Sequence, residues 1–136
     1  EIHLNAGNGL EALAIGKKLL ELNPSNYPIS MLYARALMNQ KEYDQAEEVL
    51  KNLLLKRKKD PQVWYWLAEI QGLGRKIIGL HQSRAEYFYL TGNYDRAIEH
   101  LRYALDLAGN NFQLNEILQT KIESIFATKE ELKDFS

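Results

Sequence analysis

Two segments of this chain are copies of one pattern. Gln40-Lys41-Glu42-Tyr43-Asp44-Gln45-Ala46 and Thr91-Gly92-Asn93-Tyr94-Asp95-Arg96-Ala97 share a polar turn followed by Tyr-Asp-x-Ala. An apolar stripe follows each. Tyr43, Ala46, Val49, Leu50, Leu53 and Leu54 recur at helical steps, and Tyr94, Ala97, Ile98, Leu101, Ala104 and Leu105 do nearly the same. Such spacing lines up one face of an α-helix for packing against neighbouring helices. A small residue precedes each copy at the same distance, Ala34 before Ala46 and Ala85 before Ala97. Paired small residues let two antiparallel helices approach closely, and the tyrosine fills the gap at the turn. No segment shows sustained strand alternation.

Stop and start signals divide the rest. Proline and glycine at Pro24, Gly74, Gly92 and Gly109 mark joints, and Asp60-Pro61 reads as an N-cap followed by proline at the first helical position. Gly72 and Gly74 read as a C-cap. The pattern predicts helices over about 8–22, 28–40, 43–59, 61–73, 76–91, 94–108 and 111–127, with Thr128 and Glu131 forming a capping box for a short final turn.

These features resemble the tetratricopeptide repeat (TPR). The resemblance rests on Ala34, Tyr43, Ala46 and a delayed Pro61, then on Ala85, Gly92, Tyr94 and Ala97, with a weaker copy at Ala12 before Leu22-Asn23-Pro24. It implies an all-α fold, a TPR-like α-helical solenoid of about seven antiparallel helices in a right-handed superhelix. The expected organisation is a single helical repeat domain over 1–136, with a weak half-repeat at 8–24 and repeats at about 28–59, 61–91 and 94–127. The period is irregular. The family repeats at about 34 residues, whereas Ala46 and Ala97 lie 51 apart. That interval is three helices, so helix 76–91 is the second of one pair and resembles the first of the next.

Composition narrows the function. Seventeen basic residues against 18 acidic give a net charge of −1, unlike a nucleic-acid binder. No cysteine is present, which excludes disulfides and Cys-based metal sites. The apolar runs are far shorter than the roughly 20 residues of a membrane span, so no direct membrane insertion is expected. The chain opens with Glu1 and carries no signal peptide, so it reads as a fragment of a longer protein.

A longer match covers the second half. Leu67-Ala68-Glu69, Gly72-Leu73-Gly74-Arg75, the run Leu80-His81-Gln82-Ser83-Arg84-Ala85-Glu86-Tyr87 through Leu101, and Ala104 to Leu114 resemble one group. It is the C-terminal repeat region of bacterial periplasmic zinc metalloproteases of peptidase family 48, of the β-barrel assembly-enhancing type. The resemblance spans about residues 26–127 and is strongest at 67–114. It implies the non-catalytic half of a protease, placed in the periplasm, in outer-membrane protein assembly and quality control. Implied partners are protein or peptide clients, outer-membrane assembly components and the absent protease domain.

Nothing in the residues calls for chemistry. The family's zinc motif is His-Glu-x-x-His, whereas His3, His81 and His100 have no histidine four residues away. No phosphate loop occurs, and no acid, base or nucleophile constellation is recognisable. The expectation is no enzyme, no metal and no cofactor. Histidines read as structural, with His81 bonding locally where a turn enters a helix. Lys56-Arg57-Lys58-Lys59 reads as a solvated helix end that complements the dipole, rather than as a site for nucleic acid or anionic lipid.

The expected site is a protein-binding groove lined by the first helix of each pair. The alanine register turns Met31, Arg35, Met38 and Asn39 toward it from one helix, and Tyr65 and Glu69 from another. Methionine supplies adaptable apolar surface. Arginine can hold a carboxylate, such as a peptide terminus. Trp64 with Leu67 and Ala68 suits the packing side, and the rings of Tyr87, Phe88 and Tyr89 read as core or inter-helix filler. The alternatives are a generic TPR adaptor unrelated to proteolysis, binding a peptide, and a homo-oligomer joined through the exposed terminal helices 8–22 and 111–127. A self-contained enzyme and an RNA-binding helical repeat lack a catalytic constellation and a basic surface respectively.

Overall fold

The computed structural model describes residues 6–135, and side chains from Gly9 to Phe135. Among these residues there are seven helices and no strand: α1 (Ala6–Leu22), α2 (Tyr27–Asn39), α3 (Tyr43–Arg57), α4 (Pro61–Leu73), α5 (Ile77–Leu90), α6 (Tyr94–Ala108) and α7 (Phe112–Lys133). The fold class is all-α and TPR-like. No described helix is long and apolar enough to cross a membrane. His3 lies outside the described residues.

The chain divides into two compact units, Glu1–Val63 and Trp64–Ser136. In the first, α1 packs on α2 and α2 on α3. Ala34 and Ala46 are wholly buried, as the close-approach argument requires, and Leu37, Leu50 and Leu53 of the same two helices are buried with them. Gly16 makes room for the Tyr33 ring, since a Cβ there would stand 2.9 Å from Cδ1. In the second unit, α5 packs on α6 and α6 on α7. Ala85, Ala97, Ile98, Leu101, Ala104, Leu118 and Ile125 form one apolar core.

Two chemical devices build the joints. After α2, α4 and α5 the chain reverses through three residues, and the second takes positive φ: Lys41 at 62°, Arg75 at 61° and Gly92 at 84°. Each joint then returns an N–H to the fifth carbonyl back. Glu42 donates to Leu37 at 2.9 Å, Lys76 to Gln71 at 2.8 Å and Asn93 to Phe88 at 2.7 Å. This is the Schellman arrangement, which satisfies carbonyls left over at a helix end. Side chains also cap the new helix before α2, α4, α6 and α7, and the joint into α6 combines both devices, with Asn93 accepting from Arg96 at 3.3 Å. Asn26 accepts from Ile29 at 2.9 Å, Asp60 from Gln62 at 3.0 Å and Asn111 from Leu114 at 3.0 Å.

Three expectations change. The left-handed residue after α4 is Arg75, not Gly74: the Gly74 N–H still bonds Ile70 one helical turn back, so winding continues through it. The last helix does not stop near 127 but runs to Lys133. Thr128 is not a cap. Its hydroxyl donates to the Ser124 carbonyl at 3.1 Å inside the helix, and no glycine or proline interrupts the segment. His81 lies within α5 rather than at a turn, and its hydrogen bond is long-range.

Candidate protein-binding face

The sequence-derived groove residues fall in both units. Met31, Arg35, Met38 and Asn39 lie on α2, and Tyr65 and Glu69 on α4. On α2, Arg35 and Asn39 line a surface cavity of about 260 Å³ with Leu32, Ile15 and Leu19. Met31 and Met38 are half-buried and are not part of that lining. Arg35 and Asn39 thus border the α1–α2 cavity, while Met31 and Met38 lie on the same helix outside its lining.

In the second unit Tyr65 is 38 % exposed. Leu67 and Ala68 are buried and Trp64 half-buried, matching the expected packing side. Glu69, one turn after Tyr65, meets Arg84 of α5 at 3.3 Å. Behind this pair the two helices are held by a buried polar bond, with the Ser83 hydroxyl donating to Gln71 Oε1 at 2.6 Å. Gly79 permits it, because a Cβ there would stand 2.7 Å from Gln71 Nε2.

Tyr65, in edge contact with Trp66 at 5.5 Å, belongs to a run of rings that crosses three helices. Its centroid lies 5.9 Å from Tyr87 on α5, and Tyr87 lies 5.5 Å from Phe88. Phe88 stacks on His100 of α6, with centroids 5.4 Å apart and planes 17° apart. His100 adjoins His81 at 5.2 Å, and His81 adjoins Tyr103 at 5.2 Å. The Arg96 guanidinium lies over the Phe88 ring at 5.3 Å, within cation–π range. Tyr103 is 45 % exposed, and most of the others are half-buried. The ladder offers amphipathic rings, fixed in place, with arginines on its flanks; such surfaces are common at protein interfaces.

Within the ladder, His81 and His100 share a hydrogen bond, Nδ1 to Nδ1, at 3.0 Å. Burial, then the Arg84 charge, pushes His81 below the ordinary histidine range. Burial also lowers His100, followed by His81 and Arg84; Glu99 opposes this and Arg96 adds to it. No group of three or more His, Cys, Asp or Glu side chains suited to a metal occurs among the described residues.

A model of the tetratricopeptide repeat matches residues 3–70, half of the chain. The chain belongs to the tetratricopeptide repeat family. Neither the curated proteins nor the solved structures supplied a match. TPR repeats generally mediate protein–protein binding and are generally non-catalytic, so the coarse role is that of a protein-interaction scaffold. The matched TPR segment ends at residue 70, and most of the ladder lies beyond it. The sequence reading named Tyr65 and Glu69, which adjoin the ladder, and did not name His81, Arg84, Phe88, His100 and Tyr103 as site residues. A signal was present: His81, Arg84 and Phe88 stand at i, i+3 and i+7, and Arg96, His100 and Tyr103 at i, i+4 and i+7, each on one helix face.

Proposed function

We propose that this chain is the protein-binding, non-catalytic TPR region of a periplasmic zinc metalloprotease of peptidase family 48. In this reading it holds clients or outer-membrane assembly components near a protease domain on another part of the protein. The observation that carries the reading is a coincidence of position. The segment 67–114, where the sequence resemblance is strongest, contains His81, Arg84, Phe88, His100 and Tyr103. Unlike Ala85 and Ala97, these side chains are not wholly buried, so repeat packing alone does not explain them. The Arg35 and Asn39 side of α2 serves as a second contact, with Arg35 suited to a peptide carboxylate.

The test uses the whole chain as bait on cell-envelope extract, with an unrelated TPR protein as control and mass spectrometry of the retained proteins. Selective recovery of outer-membrane assembly components or unfolded barrel proteins is expected. Tyr103→Ala with Tyr65→Ala, and separately Arg35→Glu, should each reduce that recovery. Recovery no better than the control overturns the protease setting, and full recovery by the variants overturns the assigned face.

One observation favours a second reading, self-association through the terminal helices. Ile15 and Leu22 on α1, and Ile117 and Phe126 on α7, are all more than half exposed. Sedimentation velocity over a range of concentrations decides it, since a monomer throughout rejects this route.

A further inference from the structure

The His81–His100 bridge imposes a condition that ordinary packing does not. One imidazole must donate through Nδ1–H and the other must accept through a bare Nδ1. The neutral pair therefore needs opposite tautomers. A first proton can be held, because an imidazolium still donates to the remaining bare nitrogen. A second proton leaves two N–H groups pointing at each other across 3.0 Å. The doubly charged state is thus incompatible with the bridge.

Burial and the neighbouring arginines resist charge on the pair. Arg84 stands on α5 and Arg96 on α6, both cationic. From α4 comes Glu69, already engaged by Arg84. Glu99 on α6 is the one carboxylate acting favourably on His100. From α7, Lys121 and Lys129 reach α5 and α6, held by Glu86 at 3.0 Å and Asp95 at 2.6 Å. The bridge also sits where a change would be felt, since Phe88 stacks on His100 and Tyr103 contacts both histidines.

We propose that the His81–His100 bridge is a proton-sensitive clasp between α5 and α6, which opens in mildly acid conditions and separates the rings of the ladder. For its effect on partners, this inference rests on the ladder being the binding face. Its effect on the fold does not.

The sign follows from linkage. Histidines of the unfolded chain take up protons near about pH 6.5, and the folded pair takes them up lower. Between those points the unfolded state binds more protons, so stability falls as pH falls. The contribution is whole above the ordinary histidine value and is lost as pH drops through the folded values.

The experiment follows the full chain by imidazole nitrogen NMR and by thermal unfolding between about pH 8 and about pH 5. At the upper end, one of His81 and His100 should be the Nδ1–H tautomer and the other Nε2–H. The native midpoint should then fall by at least about 3 °C more than that of His100→Gln over the same range. Like tautomers in the native chain, or equal losses in native and variant, overturn the clasp. The tautomer readout needs no variant, so it decides the matter even if His100→Gln does not fold. Acid weakening in a chain that captures no partner removes the binding reading and leaves the clasp standing. Capture by a chain with no histidine-dependent pH response does the reverse.

Discussion

Arg75 and Gly92 hold the same left-handed backbone position at the two ends of α5, with φ of 61° and 84°. Each is the middle residue of a three-residue joint closed by the same returning hydrogen bond. The joint between α2 and α3 is built the same way around Lys41. An alternating repeat would use this turn within a pair and a different one between pairs. Here α5 is entered and left through the within-pair turn. That is the physical content of the 51-residue interval between Ala46 and Ala97. By turn chemistry, α6 closes a pair that α5 opens, and α7 starts anew after a joint whose positive-φ residue is its first, Gly109.

The left-handed positions predict substitutions of opposite sign. An L-residue there costs about 1–2 kcal/mol, partly offset by the greater entropy that glycine loses on folding. Arg75→Gly and Lys41→Gly should each stabilise by about 0.5–1 kcal/mol, and Gly92→Ala should destabilise by about 1 kcal/mol. A Cβ at Gly92 meets nothing within 4 Å, so its loss is backbone strain and not a clash. Urea unfolding with unchanged m-values would measure this. Stabilisation by Gly92→Ala would contradict the turn assignment.

The wholly buried alanines predict overpacking. Ala46→Leu in the first unit and Ala97→Leu in the second place an isobutyl group where helices approach most closely. A loss of about 1–3 kcal/mol is expected for each. Melting temperatures equal to the native value in both variants would show that these helices are not in close contact.

The Ser83–Gln71 bond predicts a coupled pair. Ser83→Ala should cost about 0.5–1.5 kcal/mol by removing a buried donor. Gly79→Ala should cost about 1–3 kcal/mol, because the Gln71 amide must move off its position. In the double variant the losses should sum to less than their separate values, since both act on the same amide. Strict additivity in a double-mutant cycle would separate the two contacts.

The Asn111 cap predicts a graded series. Asn111→Ala should cost about 0.5–2 kcal/mol, Asn111→Asp little, and Asn111→Gly only a few tenths. Hydrogen exchange at Leu114, whose N–H is the capped donor, reports the same loss locally. Unaltered exchange there in Asn111→Ala would mean that the cap contributes nothing.

Much of the fold was legible because its determinants are local. Helical spacing placed Ala34, Ala46, Ala85 and Ala97 correctly, and all are wholly buried. Asp60 before Pro61 declared the start of α4, since cap and proline act within one turn. Arg75 was not legible. Gly74 is the residue that the left-handed region favours, but the choice depends on which N–H reaches the Gln71 carbonyl. The reach of α7 was missed because Thr128 serves a cap or a helix interior equally well, and its neighbours decide which.

The candidate site divides in the same way. Tyr65 and Glu69 could be named together from the sequence because i and i+4 lie on one helix face. The cavity beside Arg35 and Asn39 exists because α1 packs against α2, which the sequence of α2 alone does not record. By itself, the sequence determined the all-α class, the helix order, the small-residue contacts and the caps, all set by interactions within a few residues. Only the tertiary structure decided the ladder and its histidine bridge. His81 and His100 are 19 residues apart, and they meet because the Asn93 turn folds α6 back onto α5 in a register that sets one imidazole against the other.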